Sequence, residues 1–521
     1  MPQNHFSRNN CIAAITVGVV SFIILTLSKN PYPLTSDECF SLYHAQFPIP
    51  TIWNELSKGN NPPLFETLLH FWIPYSGNSE GAVRTLPTIL ISISTALLWL
   101  LSRQIHASLI ATIFTVLFFL GSNTVLLFAH EIRAYSLLLL FTVLVQLLWI
   151  KPLEKKTTIH KILWVVSAAG LIYTHFFGFW ILLIQGFFEV SKLIKERDPN
   201  KPNIQINHRV ILNLFWPWIV LFLLYSPYLR IVIFRFIDSA SSGTWMEPAP
   251  WAAPYFTLWK FTNIPMAVFP TVLLIILCIK SAQTPPLSTV ISISSKNNAS
   301  VKYFIASFII PFLGMWLISL PFPWSIPMFN ERYVSFVIPS LAIALATPIS
   351  SIKLTTTSFR KHILAMSLWM ILLIGEFSFR YVTVSQNIDV TTAVLEVKKS
   401  KNASVVLEPD HAAFQWLYYT NQTKFKQWRS DSIYHHMAQQ LIQEKVYILK
   451  TQKSLDSFGL KDSPILYYTH LDNRKTDHTQ MIEKQLQKKF NIQPYPFSIS
   501  GNIKPTLKSK TSELWKLYPK R

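Results

Sequence analysis

The sequence predicts an α-helical polytopic membrane protein that carries a water-soluble α/β domain in its C-terminal part. Two observations on composition favour a membrane protein: half of the 521 residues are hydrophobic, and only 14% are charged. Ordinary soluble domains have about a quarter of their residues charged. The third observation is a series of eleven apolar stretches, most of them near the roughly 20 residues that a helix needs to cross a bilayer.

The predicted spans all end before residue 380. They lie at 11–28, 87–102, 107–123, 134–150, 162–174, 175–190, 210–229, 264–280, 303–320, 333–350 and 362–378. The fifth and sixth spans run together through Tyr173-Thr174-His175, and a single long helix there would reverse the orientation of every later span. The first span lacks the cleavage pattern of a signal peptide, so we interpret it as a retained anchor.

Lys and Arg are distributed unevenly among the connections between these spans. With the N-terminus in the cytoplasm, the cytoplasmic connections hold about twice as many basic residues as the external ones, which are longer in total. This asymmetry predicts a cytoplasmic N-terminus. It also places the C-terminal part outside. Since the last predicted span ends at 378, the predicted domains are a transmembrane domain, residues 1–379, and an extracytoplasmic domain, residues 380–521.

The C-terminal domain combines strand-like and helix-like patterns. Residues 403–407 and 445–449 are typical of strands, and residues 412–419 and 481–490 are typical of helices. The domain contributes much of the net charge of +21. Anionic lipid headgroups or an anionic surface polymer suit such a charge outside the cell better than nucleic acid does. A solvated basic surface without a specific ligand is the alternative.

The first external loop, residues 29–86, opens with two carboxylates. Glu38 follows Thr35 at the spacing of a capping box, in which the glutamate accepts a hydrogen bond at the helix start. Asp37 has no such role and is therefore the better candidate for a general base, with Glu38 second. Because the spans are almost free of charge, this acidic loop favours chemistry at the outer boundary over ion-coupled transport.

Two amphipathic helices are expected to lie in the membrane interface within this loop. The first has aromatic residues at helical spacing: Phe40, Tyr43, His44 and Phe47. The second should follow Pro62-Pro63 and run from Leu64 to Trp72. His70 on that helix is better explained as a packing residue than as a metal ligand, since its acidic neighbours lack zinc-site spacing. We predict no metal and no cofactor.

Further charged groups stand where external loops meet spans. Arg84 precedes the second span, Glu131-Ile132-Arg133 precedes the fourth with Tyr135 one helical turn after Glu131, and Glu331-Arg332-Tyr333 opens the tenth. Arginine can hold a phosphate bidentately. The alternatives are local salt bridges of little energetic value and arginines that only anchor the helix ends in the interface.

In combination, these motifs resemble the bacterial polyprenyl-phosphate-sugar glycosyltransferases of the GT-C fold, which are related to protein O-mannosyltransferases and lipid A aminoarabinose transferases. The segments that carry the resemblance are Asp37-Glu38, residues 60–84, Glu131 to Tyr135, Tyr173 to Gly178 and Glu331 to Tyr333. The resemblance covers roughly residues 10–350. Many relatives have histidine before the paired prolines, where this chain has Asn61. Any role of that histidine is therefore unfilled here or passes to His70 or His175.

The resemblance implies an inverting transferase that moves a sugar from a polyprenyl-phosphate donor to a hydroxyl of a cell-envelope acceptor. Asp37 would deprotonate the acceptor, and Arg332, supported by Arg133 or Arg84, would stabilise the departing phosphate. Glu131 would orient a substrate or hold Arg133. The remaining implied substrate contacts are Tyr135, His175, Tyr333, Asn61 and His70.

The resemblance also implies a location and partners. The reaction would take place on the outer face of a bacterial inner membrane, with the C-terminal domain periplasmic or extracellular. The acceptor would be a lipid, a glycan such as lipopolysaccharide, or a protein. Membrane lipids would surround the protein, and no nucleic acid would be involved. Two other classes stay open: a flippase for lipid-linked saccharides, and a non-catalytic scaffold for envelope assembly.

Overall fold

The computed structural model describes most of the chain up to residue 350 and shorter stretches after it. The described residues are 8–28, 33–57, 62–106, 108–150, 157–196, 208–242, 246–263, 265–283, 294–323, 325–350, 394, 404–408, 412–420, 441–442, 445–448, 465–469, 490–494 and 513–519. The chain forms two compact units. The first comprises Met1–Lys29, Leu56–Leu68 and Gly81–Ser378, and the second comprises Asn30–Glu55, Leu69–Glu80 and Phe379–Arg521.

Fifteen described helices precede residue 351. They are α1 Arg8–Leu27, α2 Ser36–His44, α3 Ile49–Ser57, α4 Leu64–Ser76, α5 Glu80–Ile105, α6 Leu109–Gly121, α7 Asn123–His130, α8 Tyr135–Trp149, α9 Thr158–Thr174, α10 Phe179–Glu196, α11 His208–Ser242, α12 Ala253–Thr262, α13 Val268–Gln283, α14 Ser294–Ile318 and α15 Ile338–Ser350. Short 3-10 turns lie at Phe176–Gly178, Pro265–Ala267 and Ser335–Val337.

The apolar helices make the protein an integral membrane protein. Within the described residues, four segments are long and apolar enough to cross a bilayer: Arg8–Leu27, Glu80–Ile105, Phe215–Ile237 and Ala299–Ile318. Helices α6 and α7, bent by 59°, would make a fifth as one span. Five shorter apolar helices coincide with the other predicted spans up to residue 350. The eleventh predicted span, 362–378, lies outside the described residues, as does the predicted domain boundary at 379.

The fifth and sixth predicted spans are separate helices. Helix α9 ends at Thr174, and His175 has an extended backbone before the 3-10 turn Phe176–Gly178 and α10. The side chain of His175 accepts a hydrogen bond from the backbone N–H of Phe177, so it caps the start of that turn. The alternative of one continuous helix through this region is therefore wrong.

The core of the first unit surrounds α15. Every residue from Ile338 to Thr347 is buried, as expected for a helix that is apolar on all sides. Helices α8 and α9 pack together where Gly170 faces the ring of Phe141, which leaves no room for a β-carbon on that glycine. Such close approach at a small residue is typical of helix packing in membranes.

The second unit contains a five-stranded mixed sheet. Its strands are β1 Ser404–Glu408, β2 Val446–Ile448, β3 Ile465–Thr469, β4 Phe490–Pro494 and β5 Glu513–Pro519, in the order β2-β1-β3-β5-β4. Strand β1 is parallel to β2 and β3, whereas β5 is antiparallel to β3 and β4. Helix α16, Ala412–Thr420, follows β1.

Most of the strands and helices predicted in the C-terminal region coincide with described strands and helices. Strands β1 and β2 and helix α16 coincide with the predicted stretches. Phe490, however, was expected to end a helix and instead begins β4, while residues 481–489 lie outside the described residues. The alternation of Phe490 and Ile492 with polar Asn491 and Gln493 is the period-two signal of a strand.

Helix α2 forms as predicted, but protein covers its aromatic face. In the second unit, the ring of Phe414 on α16 lies 5.4 Å from Phe40, 5.3 Å from Tyr43 and 6.2 Å from His44. Tyr43 and Phe47 are each 1% exposed. The expected interfacial position of this face is thereby corrected, since helical spacing shows which face is apolar and not what covers it.

Candidate functional site

Three segments that are distant in the sequence bring charged and aromatic side chains together in the first unit. They are the segment before α8, the connection after α9 and the segment before the 3-10 turn Ser335–Val337. We call the resulting group the charged–aromatic cluster, and its members are Glu131, Arg133, Tyr135, His175, Arg332 and Tyr333. All six were predicted site residues, but the sequence did not show that they are neighbours.

An ion pair joins the first and third segments. Nη1 of Arg332 lies 3.3 Å from Oε1 of Glu131, whose side chain is almost entirely buried. The backbone at Arg332 is also fixed, because its N–H donates to Oδ1 of Asn330 at 3.0 Å and its carbonyl accepts from Ser335 Oγ at 2.7 Å. The Arg332 side chain nevertheless keeps 34% of its surface exposed. The Arg332 side chain is therefore held in place and still accessible to a ligand.

Aromatic contacts join the second segment to the other two. The ring centroid of His175 lies 5.9 Å from that of Tyr135 and 5.4 Å from that of Tyr333. Phe177 adds contacts of 5.4 Å to His175 and 5.5 Å to Tyr333. On its other side Tyr135 stacks on Phe128 at 4.7 Å. The histidine ring is thus confined between side chains from α8 and from the segment before α15.

The hydrogen bonding of His175 leaves one ring nitrogen for a ligand. Nδ1 accepts from the backbone N–H of Phe177 at 3.3 Å, so in the neutral ring the proton must sit on Nε2. Nε2 is buried and makes no hydrogen bond, and the residue is only 3% exposed. Because an unsatisfied buried donor is costly, such a group indicates a bound oxygen atom, from a ligand or from water.

A second ion pair supports the segment that carries Arg332. Nζ of Lys260, on α12, lies 2.6 Å from Oε1 of Glu331. Burial alone would raise the pKa of Glu331, but the charge and the hydrogen bond of Lys260 outweigh it, with a smaller contribution from Arg332. The pKa of Glu331 is therefore below its ordinary value, and this carboxylate is ionised at neutral pH. Its role is to fasten the segment.

The second unit contains the two carboxylates at the start of the loop that was predicted to be external. The N–H of Thr35 donates to Oε2 of Glu38 at 2.8 Å, and the N–H of Glu38 donates to Oγ1 of Thr35 at 3.3 Å. This is a complete capping box, and Glu38 is 1% exposed. Asp37 lies in the same helical turn and is exposed. The structure thus confirms the capping role considered for Glu38 and leaves Asp37 accessible.

The other predicted site residues, His70, Arg84 and Asn61, are not members of the charged–aromatic cluster. In the second unit, Nδ1 of His70 donates a hydrogen bond to the carbonyl oxygen of Ala45 at 2.8 Å, which fits the predicted structural role. Arg84 is buried near the start of α5, and Asn61 lies outside the described residues. Among the residues that the structure describes, no group of three His, Cys, Asp or Glu could hold a metal ion.

One buried carboxylate in the first unit was not predicted from the sequence. Glu189 on α10 is 6% exposed and accepts hydrogen bonds from the indole N–H groups of Trp149, at 2.9 Å, and Trp218, at 2.8 Å. Lys161, close enough for its charge to act on Glu189, lies in the first turn of α9, whereas His175 follows the last residue of that helix. Glu189 therefore belongs to the end opposite the charged–aromatic cluster. The sequence does contain a signal for this residue, since Glu189 is an acidic residue within the apolar predicted span 175–190.

Comparison with known proteins identifies the fold. No family model and no curated protein matches the sequence. Among solved structures, ArnT from Cupriavidus metallidurans in the apo state matches with a TM-score of 0.55 at 10% identity, over 97% of each chain. The same protein bound to undecaprenyl phosphate matches with a TM-score of 0.54 at 12% identity, again over 97% of each chain. The chain therefore shares the fold of ArnT, a lipid A aminoarabinose transferase of the GT-C class, over nearly its whole length.

Proposed function

We propose that this protein is an inverting glycosyltransferase that transfers a sugar from a polyprenyl-phosphate donor to a hydroxyl group of a cell-envelope acceptor. The observation that carries the proposal is the charged–aromatic cluster, in a chain with the fold of a protein known bound to undecaprenyl phosphate. The cluster contains a guanidinium held by an ion pair and a buried imidazole N–H whose ring contacts the neighbouring tyrosine.

The cluster suits the phosphate of such a donor. Arg332 can neutralise charge on phosphate oxygens, and Nε2–H of His175 can donate a hydrogen bond to one of them without adding a second buried charge. As the bond to the sugar breaks, negative charge grows on the departing phosphate. Hydrogen-bonding and cationic side chains that are already oriented stabilise that charge with little reorganisation. Arg133 and Arg84 are the supporting cations that the family resemblance implies.

Asp37 is proposed as the general base. Its carboxylate is exposed in the first turn of α2, while the neighbouring Glu38 is committed to the helix cap. Asp37 takes the proton of the acceptor hydroxyl, whose oxygen then forms a bond to the anomeric carbon as the carbon–phosphate oxygen bond breaks. Phosphate leaves without needing an acid, so one base suffices. A single displacement inverts the anomeric centre, by analogy with inverting glycosidases.

The proposal includes the expected location. The reaction takes place on the outer face of a bacterial inner membrane, with a cytoplasmic N-terminus and an extracytoplasmic C-terminal α/β domain. The acceptor is a lipid, a glycan or a protein of the envelope. The basic character of the C-terminal residues is compatible with an anionic acceptor surface.

A donor-release assay tests this function. Purified protein in lipid nanodiscs is given radiolabelled polyprenyl-phosphate sugars and an envelope-lipid extract, and the release of polyprenyl phosphate and transfer of label are measured. Arg332→Gln should lower both by about a hundredfold or more, whereas Arg230→Gln, which replaces an exposed arginine on α11, should leave both unchanged. In sealed vesicles, movement of intact donor across the bilayer without release would replace the transferase with the flippase.

A further inference from the structure

We infer that α16, in the C-terminal part of the chain, positions the helix that carries the proposed base, and that Phe414, Gln415 and Tyr419 are positioning residues for Asp37. The inference rests on the proposed function, since it concerns the same general base. All the contacts that support it lie within the second compact unit. If Asp37 is the base, these contacts give the C-terminal region a part in the reaction, through the helix that carries Asp37.

Both backbone polar groups of Leu34 are bonded to α16. Nε2 of Gln415 donates to the carbonyl oxygen of Leu34 at 2.7 Å, and the N–H of Leu34 donates to the hydroxyl of Tyr419 at 2.5 Å. Leu34 itself is fully buried. It precedes the N-cap Thr35, so these two bonds fix the chain where it enters α2. Asp37 follows only three residues later.

The tyrosine completes this arrangement with a second hydrogen bond. Its hydroxyl accepts from Leu34 and donates to Oε1 of Glu80 at 2.8 Å, so both hydrogen-bonding functions of the phenol are used. Burial and the neighbouring carboxylate of Glu80 raise the pKa of Tyr419, which keeps the phenol protonated and able to donate. The adjacent Tyr418 donates to the carbonyl oxygen of Asn78 at 2.7 Å. Helix α16 thus holds the beginning and the end of the first external loop.

The ring of Phe414 fixes the rotation of α2. It is fully buried against Phe40, Tyr43 and His44, which lie on consecutive turns of that helix. A helix held by hydrogen bonds at its start and by aromatic packing along one face can neither slide nor rotate freely. The exposed direction of Asp37 is therefore set by α16.

The consequence for the reaction is specific. Weakening α16 should misplace the base while leaving the arginines of the first unit chemically unchanged. The rate of the chemical step should fall, and donor affinity should not. A displacement of about 1 Å at a reacting group can cost roughly a hundredfold in rate. The C-terminal region then belongs to the catalytic machinery, and a ligand that shifts α16 would alter turnover.

The test uses full-length protein in nanodiscs and two independent readouts. Gln415→Glu keeps the shape of the side chain but places a carboxylate against the Leu34 carbonyl, and Tyr419→Phe removes the phenol. Thr420→Val is the matched control, because the Thr420 hydroxyl bonds only within α16, to the Trp416 carbonyl. Hydrogen exchange of residues 36–44 reports on α2 directly, and donor turnover gives kcat and KM.

The positioning role predicts faster exchange across residues 36–44 in both variants than in the wild type and the control. It also predicts a kcat lowered about 10- to 100-fold with a donor KM within about twofold of the wild type. Wild-type exchange of α2 in both variants, or an unchanged kcat despite faster exchange, would overturn it. If the wild type turns over no donor, the proposed function fails, while the exchange data still decide whether α16 holds α2.

Discussion

Arg332 and Glu131 form an ion pair, with Nη1 of the arginine 3.3 Å from Oε1 of the glutamate, although helices α8 to α14 separate them in the sequence. Each residue stands in a charged motif that, taken alone, is explained well enough as a local salt bridge or a membrane anchor. Their contact makes the two motifs one cluster. It gives the guanidinium a defined direction, which a phosphate-binding arginine needs and an anchoring arginine does not.

The first prediction concerns this pair. Arg332→Gln should lower turnover of the sugar donor by about a hundredfold or more. This is the usual loss when a side chain that stabilises transition-state charge is removed. Glu131→Gln should cost less, because the arginine keeps its charge and loses only its orientation. In steady-state kinetics the double variant should be no slower than Arg332→Gln alone. Independent, additive losses would contradict the idea that Glu131 acts through Arg332.

The second prediction concerns the imidazole of His175. His175→Phe preserves an aromatic ring among Tyr135, Phe177 and Tyr333 but removes Nε2–H, so turnover should fall about a hundredfold. The lost cap should cost about 1 kcal/mol of stability. His160→Phe, at the other end of α9, is the control for a histidine replaced outside the cluster. Full activity in His175→Phe would show that the buried nitrogen contacts no substrate.

The third prediction concerns the pH dependence of stability. Because the pKa of Glu331 is lowered in the folded protein, its ion pair with Lys260 stabilises the fold above the ordinary glutamate pKa. That contribution should be lost as the pH falls through the lowered pKa. Both side chains are partly exposed, so we expect at most about 1 kcal/mol. Thermal unfolding between pH 7 and pH 3 should show a shallower acid destabilisation in Lys260→Met than in the wild type. Identical pH profiles would argue against the pair.

The fourth prediction tests the packing of α8 against α9. Gly170→Ala places a methyl group into the ring of Phe141 and should cost about 1–3 kcal/mol of unfolding free energy. Gly81→Ala, also in a helix but with open space around its β-carbon, is the matched control and should be neutral or slightly stabilising. Equal stability of the two variants would contradict the described contact between these helices.

The fold was largely predictable because its main signals are local. Apolar length and composition located a described helix for each of the first ten predicted spans. The capping box of Thr35 and Glu38 was predicted from a three-residue spacing. Two spans were predicted around residue 175 and are confirmed, but the sequence left one long helix open as the alternative. What separates the helices is the extended backbone of His175 and its bond to Phe177.

The members of the candidate site were predicted, but their mutual contacts were not. Sequence motifs predicted Arg332, Glu131 and His175 as site residues. Only the structure shows the ion pair between Arg332 and Glu131 and the ring contact between His175 and Tyr135. The partner of α2 was missed for the same reason. No pattern around Phe414 or Gln415 indicates that these residues meet a helix near the other end of the chain.

The most direct test of the proposed mechanism is transfer of label from a radiolabelled polyprenyl-phosphate sugar by wild type, Asp37→Asn and Glu38→Gln. Glutamine at position 38 still completes a capping box, so this variant should transfer at close to the wild-type rate. Asp37→Asn should fold normally and lose about 10²- to 10⁴-fold in turnover, the usual contribution of a general base. Transfer by Asp37→Asn at the wild-type rate would contradict the assignment of the base and the mechanism built on it.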